Sequence, residues 1–166
     1  MDTMQDPYET QKVLDGLLKS ATEEIVIILP TTSTNNRLYQ YEQEYLLTLL
    51  KNAAVDQGVR IRILVNESIK ERIEREIFTR SSSDLIEIQL LDKQQQNKVI
   101  TVIVDKELCL TAEVKDDDNY DSAVEVLGLA TYSNSESTVL SFASIFETLW
   151  LQAELKNEQK KAARIT

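Results

Sequence analysis

Three short apolar segments alternate with predicted helices in the first half of the chain. This alternation is the feature that most restricts which folds the chain can adopt. The apolar segments lie within residues 24–30, 59–65 and 85–91. Apolar residues at three- and four-residue spacing precede or separate them, and the first such helix is predicted to begin after Asp6, at Pro7. An α-β-α-β-α-β order predicts a parallel sheet with right-handed helical crossovers.

The pattern changes in the second half of the chain. Predicted strands over residues 99–104 and 108–114 flank a short turn, and a further strand is predicted over 123–130 after an acidic loop. These connections are too short for crossover helices, so we expect antiparallel hairpins that extend the sheet. The predicted fold class is therefore α/β with α+β character: a mixed sheet of three parallel strands followed by antiparallel hairpins, closed by a long C-terminal helix.

Two helices carry apolar stripes that predict their buried faces. The helix that Gly58 is expected to end has the stripe Tyr41, Tyr45, Leu46, Leu49, Leu50 and Ala53. The C-terminal helix, predicted from about residue 138, has the stripe Val139, Phe142, Phe146, Leu149 and Ala153.

The C-terminal helix becomes charged after residue 155 and has no glycine or proline to end it. The same helix has a second, narrow apolar seam, formed by Leu151, Leu155 and Ala162 and interrupted by Glu158. This seam predicts a weakly associating parallel homodimer. We therefore expect a domain over residues 1–154 and the start of a connector helix over 155–166. The residues expected to transmit a signal or to support a dimer are Phe146, Leu149, Trp150, Leu151 and Leu155.

Composition excludes several classes of function. The net charge of −10, with no basic stripe, predicts that neither nucleic acid nor an anionic membrane surface is a partner. No apolar run is long enough to span a bilayer, and a single cysteine with an acidic N-terminus predicts a cytoplasmic protein. The absence of histidine removes imidazole catalysis and histidine-ligated zinc. The acidic loop at 116–121 lacks the glycine of a calcium-binding EF-hand, so we expect no metal and no cofactor.

Polar residues follow the parallel strands at the edge where open α/β sheets bind ligands. The candidate ligand-binding residues are Thr31, Thr32, Ser33, Arg37, Asn66 and Lys98, and the same predicted edge holds Asn35, Glu67, Asp92 and Lys93. Such side chains suit a small polar or anionic ligand, although ordinary loops and helix caps contain the same residue types. We expect Cys109 to be a buried structural thiol, and Arg60 and Arg62 to pair with carboxylates.

Several segments resemble one family. Residues 58–64 resemble the second core strand of phospholipase D-like domains. Residues 125–133 and 144–150 are similar to the end of the phospholipase D-like sensor domain in archaeal signal-transduction histidine kinases, and residues 6–13 and 24–30 fit its start. The resemblance covers roughly residues 6–154.

Active phospholipase D-like enzymes carry a histidine, a lysine two residues later, and an aspartate five residues after the lysine. Here the corresponding residues are Lys98, Ile100 and Asp105, so only the aspartate is retained. Without the nucleophilic imidazole there is no covalent route for phosphatidyl transfer. The resemblance therefore implies a non-catalytic cytoplasmic sensory domain of a histidine kinase, which binds a ligand or partner and transmits the signal through its C-terminal helix.

Three alternatives remain open. The first is the effector-binding domain of an archaeal sugar-responsive transcriptional regulator, which shares this fold. The second is a hydrolase or transferase of the same fold, which the missing histidine disfavours. The third is an interaction module that binds no small ligand.

Overall fold

The computed structural model describes residues 2–30, 37–66, 70, 73–75, 84–91, 98–115 and 120–165. Within these residues the elements, in chain order, are β1 (Asp2–Met4), α1 (Pro7–Ser20), β2 (Glu24–Ile28), α2 (Arg37–Gln57), β3 (Arg60–Val65), β4 (Ile86–Leu90), β5 (Val99–Val104), β6 (Leu108–Val114), a 3-10 helix (Ala123–Val126), β7 (Leu127–Ser133) and α3 (Glu136–Ile165). Residues 73–75, in the third predicted helix, are also helical, but most of that helix lies outside the described residues.

The strands form one mixed sheet in the order β1-β7-β6-β5-β2-β3-β4. Strands β2, β3 and β4 run parallel, with Ile25 opposite Ile61 and Ile61 opposite Ile86. Strand β5 pairs antiparallel with β2, and β6 and β7 follow in antiparallel order. The predicted fold class is therefore confirmed.

Local sequence signals account for the ends of the first two helices. The Asp6 side chain accepts a hydrogen bond from the Tyr8 amide at 3.0 Å, and Pro7 occupies the first turn, where no amide donor is needed. Gly58 follows α2 with φ of 67°, a left-handed conformation that glycine adopts without steric cost. Both signals were predicted from the sequence.

The sheet is covered by helices on both faces. Helices α1 and α2 pack on one face, over a core that includes Ile25, Ile63 and Val102. Helix α3 packs on the other face, where Val139, Phe146 and Trp150 contact a core that includes Ile28, Leu64 and Ile103. Because β2 is buried on both faces, its sequence is continuously apolar after Glu24.

The structure corrects one prediction for the β6–β7 region and one for α2, and it contains one strand that was not predicted. Residues 123–126 form a 3-10 helix rather than the start of a strand, and β7 is shifted to 127–133. The short strand β1, which was not predicted, pairs antiparallel with β7. In α2 the predicted stripe is wrong at its start: Tyr41 is 60% exposed and Tyr45 is also exposed, while Glu42 and Gln43 are buried.

Candidate functional site

The predicted ligand-binding residues that the structure describes lie at one edge of the sheet. Asn66 directly follows β3 and is buried. Lys98 directly precedes β5, which runs antiparallel to β2, so Lys98 lies at the same edge and is exposed. Arg37 is the first residue of α2. Thr31, Thr32, Ser33, Asn35, Glu67, Asp92 and Lys93 lie outside the described residues.

The residues that correspond to the phospholipase D-like motif differ in their surroundings. Lys98 is exposed at the start of β5, whereas Ile100 is 2% exposed and belongs to the core beneath α1 and α2. An apolar side chain packed in this way offers no charge at the position where the enzymes carry lysine. Of the three positions aligned with the motif, the structure therefore places one exposed lysine, one core isoleucine and one aspartate in a turn.

Asp105 serves as an anchor between two chain segments. Its carboxylate accepts hydrogen bonds from the backbone amides of Thr22, Glu23 and Glu24 at 3.0, 2.8 and 2.9 Å, and from the Thr22 hydroxyl at 3.1 Å. Asp105 has a φ of 54°, in the left-handed region that aspartate tolerates better than most residues. Burial acts to raise its pKa, but the backbone hydrogen bonds outweigh burial and hold the pKa of Asp105 below its ordinary value.

An arginine in β3 joins the sheet to helix α3. Arg62 donates two hydrogen bonds to the Glu147 carboxylate, one of them at 2.9 Å, and its Nη2 lies 3.7 Å from a Glu24 oxygen. The guanidinium carbon is 5.1 Å from the Phe146 ring centroid and 5.4 Å from that of Trp150. The predicted pairing of Arg62 with carboxylates is confirmed, and Arg60 likewise pairs with Glu87 at 4.0 Å.

The Arg62–Glu147 pair depends on pH in a defined direction. The hydrogen bonds from Arg62 are the main reason why the pKa of Glu147 is lowered, with burial opposing them. The pair is therefore complete at neutral pH and is lost when Glu147 becomes protonated in acid. It lies in an open cleft of about 530 Å³ between the sheet and α3, lined by Glu24, Arg60, Arg62, Glu87, Glu147, Trp150, Leu151 and Glu154.

Helix α3 combines a buried face with an exposed one. Phe146 is 1% exposed, Trp150 is buried, and Leu149 is partly buried against the same core, as the stripe predicted. Leu151 is 56% exposed and Leu155 is also exposed, so the seam predicted for a helical partner is open to solvent. Beyond residue 155 the described side chains of α3 are exposed except for Asn157, whose amide donates to Gln89 in β4.

Cys109 is buried in the core beneath α3, and burial raises the pKa of its thiol. The predicted burial of Cys109 is confirmed, and a raised pKa lowers the fraction of reactive thiolate.

A polar seam between α1 and α2 was not predicted. The Glu42 side chain is buried there, and burial together with the charge of Asp15 raises the pKa of Glu42 to about 7. The Tyr45 hydroxyl donates to Asp15 at 2.8 Å. Helical periodicity did not find this seam because Tyr41 and Tyr45 suggested a different buried face.

Among the described residues no group of three or more histidine, cysteine, aspartate or glutamate side chains is placed to hold a metal ion. The acidic loop at 116–121 lies mostly outside them. No helix in the described part of the chain is both long and apolar enough to cross a membrane.

The fold is shared with several solved structures at low sequence identity. TrmBL2, an archaeal chromatin protein, matches with a TM-score of 0.61 and 18% identity over 92% of this chain and 52% of its own. NucT from Helicobacter pylori matches with a TM-score of 0.64 and 14% identity over 92% of this chain and 95% of its own. Nuc from Salmonella typhimurium, a phospholipase D family member, matches with a TM-score of 0.64 and 15% identity over 91% and 93% of the two chains. No protein-family model and no curated protein matches the sequence.

One prediction is contradicted by these comparisons. The structure of TrmBL2 is described as showing a novel mode of DNA binding, which conflicts with our exclusion of nucleic acid as a partner. The exclusion rested on net charge, which sums the whole surface and does not describe any one part of it. The chain spans about half the length of TrmBL2, at 52%.

Proposed function

We propose that this chain is a non-catalytic input domain with a phospholipase D-like fold, and that it serves as the cytoplasmic sensory domain of a signal-transduction histidine kinase. The observation that carries the proposal is the arrangement of α3. The first half of this helix packs on the sheet through Phe146 and Trp150, and its second half continues to Ile165 with mostly exposed side chains. A helix attached in this way can convey a displacement of the sheet to a following domain.

The edge that holds Asn66 and Lys98 is the proposed ligand site, for a small polar or anionic ligand. Asn66 directly follows β3 and Lys98 directly precedes β5, and the same strands place Leu64 and Ile103 in the core beneath α3. A ligand that binds one helix position more tightly than another would shift the balance between the two positions. The domain would comprise residues 1–154, and residues 155–166 would begin the connector.

The absence of catalysis is part of this proposal. Support comes from the absence of histidine in the chain and from the burial of Ile100 at the position of the enzymes' lysine. Assay of the purified chain with bis(p-nitrophenyl) phosphate is expected to show no turnover above buffer. Turnover that copurifies with the chain and is lost on mutation of Lys98 would contradict the proposal.

A fusion experiment tests signalling by α3. Residues 1–165 are joined through α3 to a histidine kinase core, and one to seven residues are inserted after Gln159. Because each residue rotates a helix by about 100°, autophosphorylation is expected to rise and fall with the inserted length and to recover at seven residues. Arg62→Met should change the output of the fusion, while the surface control Glu44→Gln should not. Output that is indifferent both to insertion and to Arg62→Met would refute transmission through α3.

A second candidate is the effector-binding domain of a transcriptional regulator, and the similarity to about half of TrmBL2 favours it. In this role the chain would act beside a DNA-binding domain or contact DNA itself. Fluorescence anisotropy with a labelled duplex separates these cases, since phosphate contacts make affinity fall steeply between about 50 and 200 mM salt. Salt-sensitive binding by this chain would support the second candidate over the first.

A further inference from the structure

Helices α1 and α2 enclose a polar seam formed by Gln11, Asp15, Glu42 and Tyr45. The Asp15 carboxylate accepts a hydrogen bond from Gln11 Nε2 at 2.9 Å on one oxygen and from the Tyr45 hydroxyl at 2.8 Å on the other. These contacts fix the position of Asp15 and the orientation of the Gln11 amide. The seam is therefore an organised cluster and not a set of independent surface side chains.

Two oxygens in the seam lack the donors that buried oxygens require. Glu42 is 6% exposed, and its Oε1 is buried without a hydrogen-bond partner. The Oε1 of Gln11 is also buried without a partner, because the amide nitrogen is directed at Asp15. Buried oxygens without donors are rare in folded proteins, and a bound ion or an ordered water often supplies the missing contact.

The helix geometry places these oxygens at a similar height along the helix pair. Gln57 at the end of α2 donates to the backbone oxygens of Leu18 and Ala21 at the end of α1, so the two helices run side by side in the same direction. Asp15 and Tyr45 meet in the middle of the pair. One turn earlier on each helix lie Gln11 and Glu42, and the two oxygens without donors therefore share one level of the seam.

The charge of the seam is negative and unbalanced. Among the described residues neither Asp15 nor Glu42 forms an ion pair with a basic side chain. Burial of a carboxylate without a positive partner is unfavourable, so the folded state is stabilised by a cation that binds in the seam.

We propose that this seam binds a hard divalent cation, Mg²⁺ or Ca²⁺, through Glu42 Oε1, Gln11 Oε1 and the Asp15 carboxylate. Each Asp15 oxygen retains a lone pair after accepting one hydrogen bond. Carboxylate and amide oxygens are ligands that both ions take, with water completing the coordination shell. Softer ions are disfavoured, because the chain has no histidine and Cys109 lies in the core on the opposite face of the sheet.

Thermal unfolding of the EDTA-treated chain tests the proposal. Circular dichroism is recorded at pH 8 and constant ionic strength while MgCl₂ or CaCl₂ replaces KCl. A saturable rise in Tm of about 5 °C is expected for at least one ion, from the stabilisation that a bound ligand provides at concentrations well above its Kd. Glu42→Gln removes the charge with little change in shape and should abolish the rise, while Glu44→Gln on the exposed side of the same helix should keep it.

A direct measurement of binding covers the case in which a variant fails to fold. The concentration of free Mn²⁺, which substitutes for both ions, is read from its electron paramagnetic resonance signal in the presence of the wild-type chain. About one Mn²⁺ per chain should be bound and should be displaced by Mg²⁺ or Ca²⁺. Absence of stoichiometric Mn²⁺ binding would overturn the proposal, as would equal Tm rises in Glu42→Gln and Glu44→Gln. A wild-type Tm that responds to pH but to neither ion would assign the seam to a proton and would also overturn it.

Discussion

The Asp105 anchor gives the sharpest test of how this fold is held together. Replacement of Asp105 by alanine removes four hydrogen bonds, three of them from the backbone amides of Thr22, Glu23 and Glu24 just before and at the start of β2. Hydrogen bonds to a charged acceptor contribute up to about 3 kcal/mol each when buried, but this turn is partly exposed, so about 1 kcal/mol for each amide is the better figure. Alanine is also less tolerant of the left-handed backbone, which adds about 1 kcal/mol.

The expected loss for Asp105→Ala is therefore about 3 to 4 kcal/mol in the free energy of unfolding. Asp105→Asn keeps one acceptor oxygen and a side chain that tolerates a positive φ, so its loss should be about half as large. Urea denaturation followed by circular dichroism measures both variants. With a slope of about 2 kcal/mol per M, the midpoint should fall by about 1.5 M or more for alanine and by less for asparagine.

The control for this experiment is Glu107→Gln, which removes a charge from an exposed side chain in the same turn. The order of stability should be Glu107→Gln, then Asp105→Asn, then Asp105→Ala. Because the folded-state pKa of Asp105 is depressed, its contribution is present above the pKa of the unfolded chain and is lost as the pH falls below about 4. The difference between wild type and Asp105→Asn should shrink in that range. A midpoint for Asp105→Ala within error of wild type would refute the anchoring role.

Three further predictions concern the helices. Glu147→Gln should lower the free energy of unfolding by about 1 kcal/mol at pH 7, since the pair with Arg62 is partly exposed, and the difference from wild type should vanish in acid as Glu147 itself becomes protonated. Phe146→Ala should cost about 3 to 5 kcal/mol in urea denaturation, whereas Leu151→Ala should cost less than about 0.5 kcal/mol; equal losses would mean that the described packing of α3 is wrong. Because the pKa of Glu42 is raised to about 7, the folded state keeps a proton in this pH range that the unfolded chain releases. In buffer with EDTA the free energy of unfolding of the wild type should therefore fall as the pH rises from about 5 to 7, and that of Glu42→Gln should stay level.

Sequence analysis predicted best those strands whose ends are marked by the residues next to them in the chain. Residues 99–104 and 108–114 form β5 and β6 with the predicted bounds, because each apolar run is interrupted by the polar turn at 105–107. Strand β2 was also found, since burial on both faces makes it continuously apolar after Glu24, and β3 and β4 were found although polar residues alternate with apolar ones in part of their sequences. The local pattern of apolar residues was therefore sufficient to predict a strand wherever burial in the core determines its position.

The elements that sequence analysis missed depend on distant contacts. Residues 123–126 are rich in strand-forming valine, yet they form a 3-10 helix held by contacts beyond the strand pattern: the Tyr8 hydroxyl bonds to Ser122 and Glu125. Strand β1 has only three residues, and its extended conformation is stabilised by antiparallel pairing with β7, which is distant in the sequence. In α2 the predicted buried face was wrong because tyrosine was counted as apolar. Tyr41 and Tyr45 are exposed, as the polar hydroxyl of tyrosine permits, and Glu42 is buried instead.

The candidate site was predicted less completely than the fold, because its contacts also join residues that are distant in the sequence. Its edge could be located from strand order, and Asn66 and Lys98 do lie there. The Arg62 contact with α3 could not be located, since alternation in β3 puts Arg62 on one face but does not say which helix covers that face. That contact depends on Glu147, which lies 85 residues further along the chain.

The aspartate that aligns with the motif has a structural role in this chain, because its carboxylate accepts four hydrogen bonds. Asp105 binds the backbone before and at the start of β2. A lysine at position 100 would place a charge in the core that Ile100 fills. Selection for stability alone would therefore keep the aspartate and replace the lysine by an apolar residue. Under the proposed non-catalytic role, this is the combination of residues that we expect at these two positions.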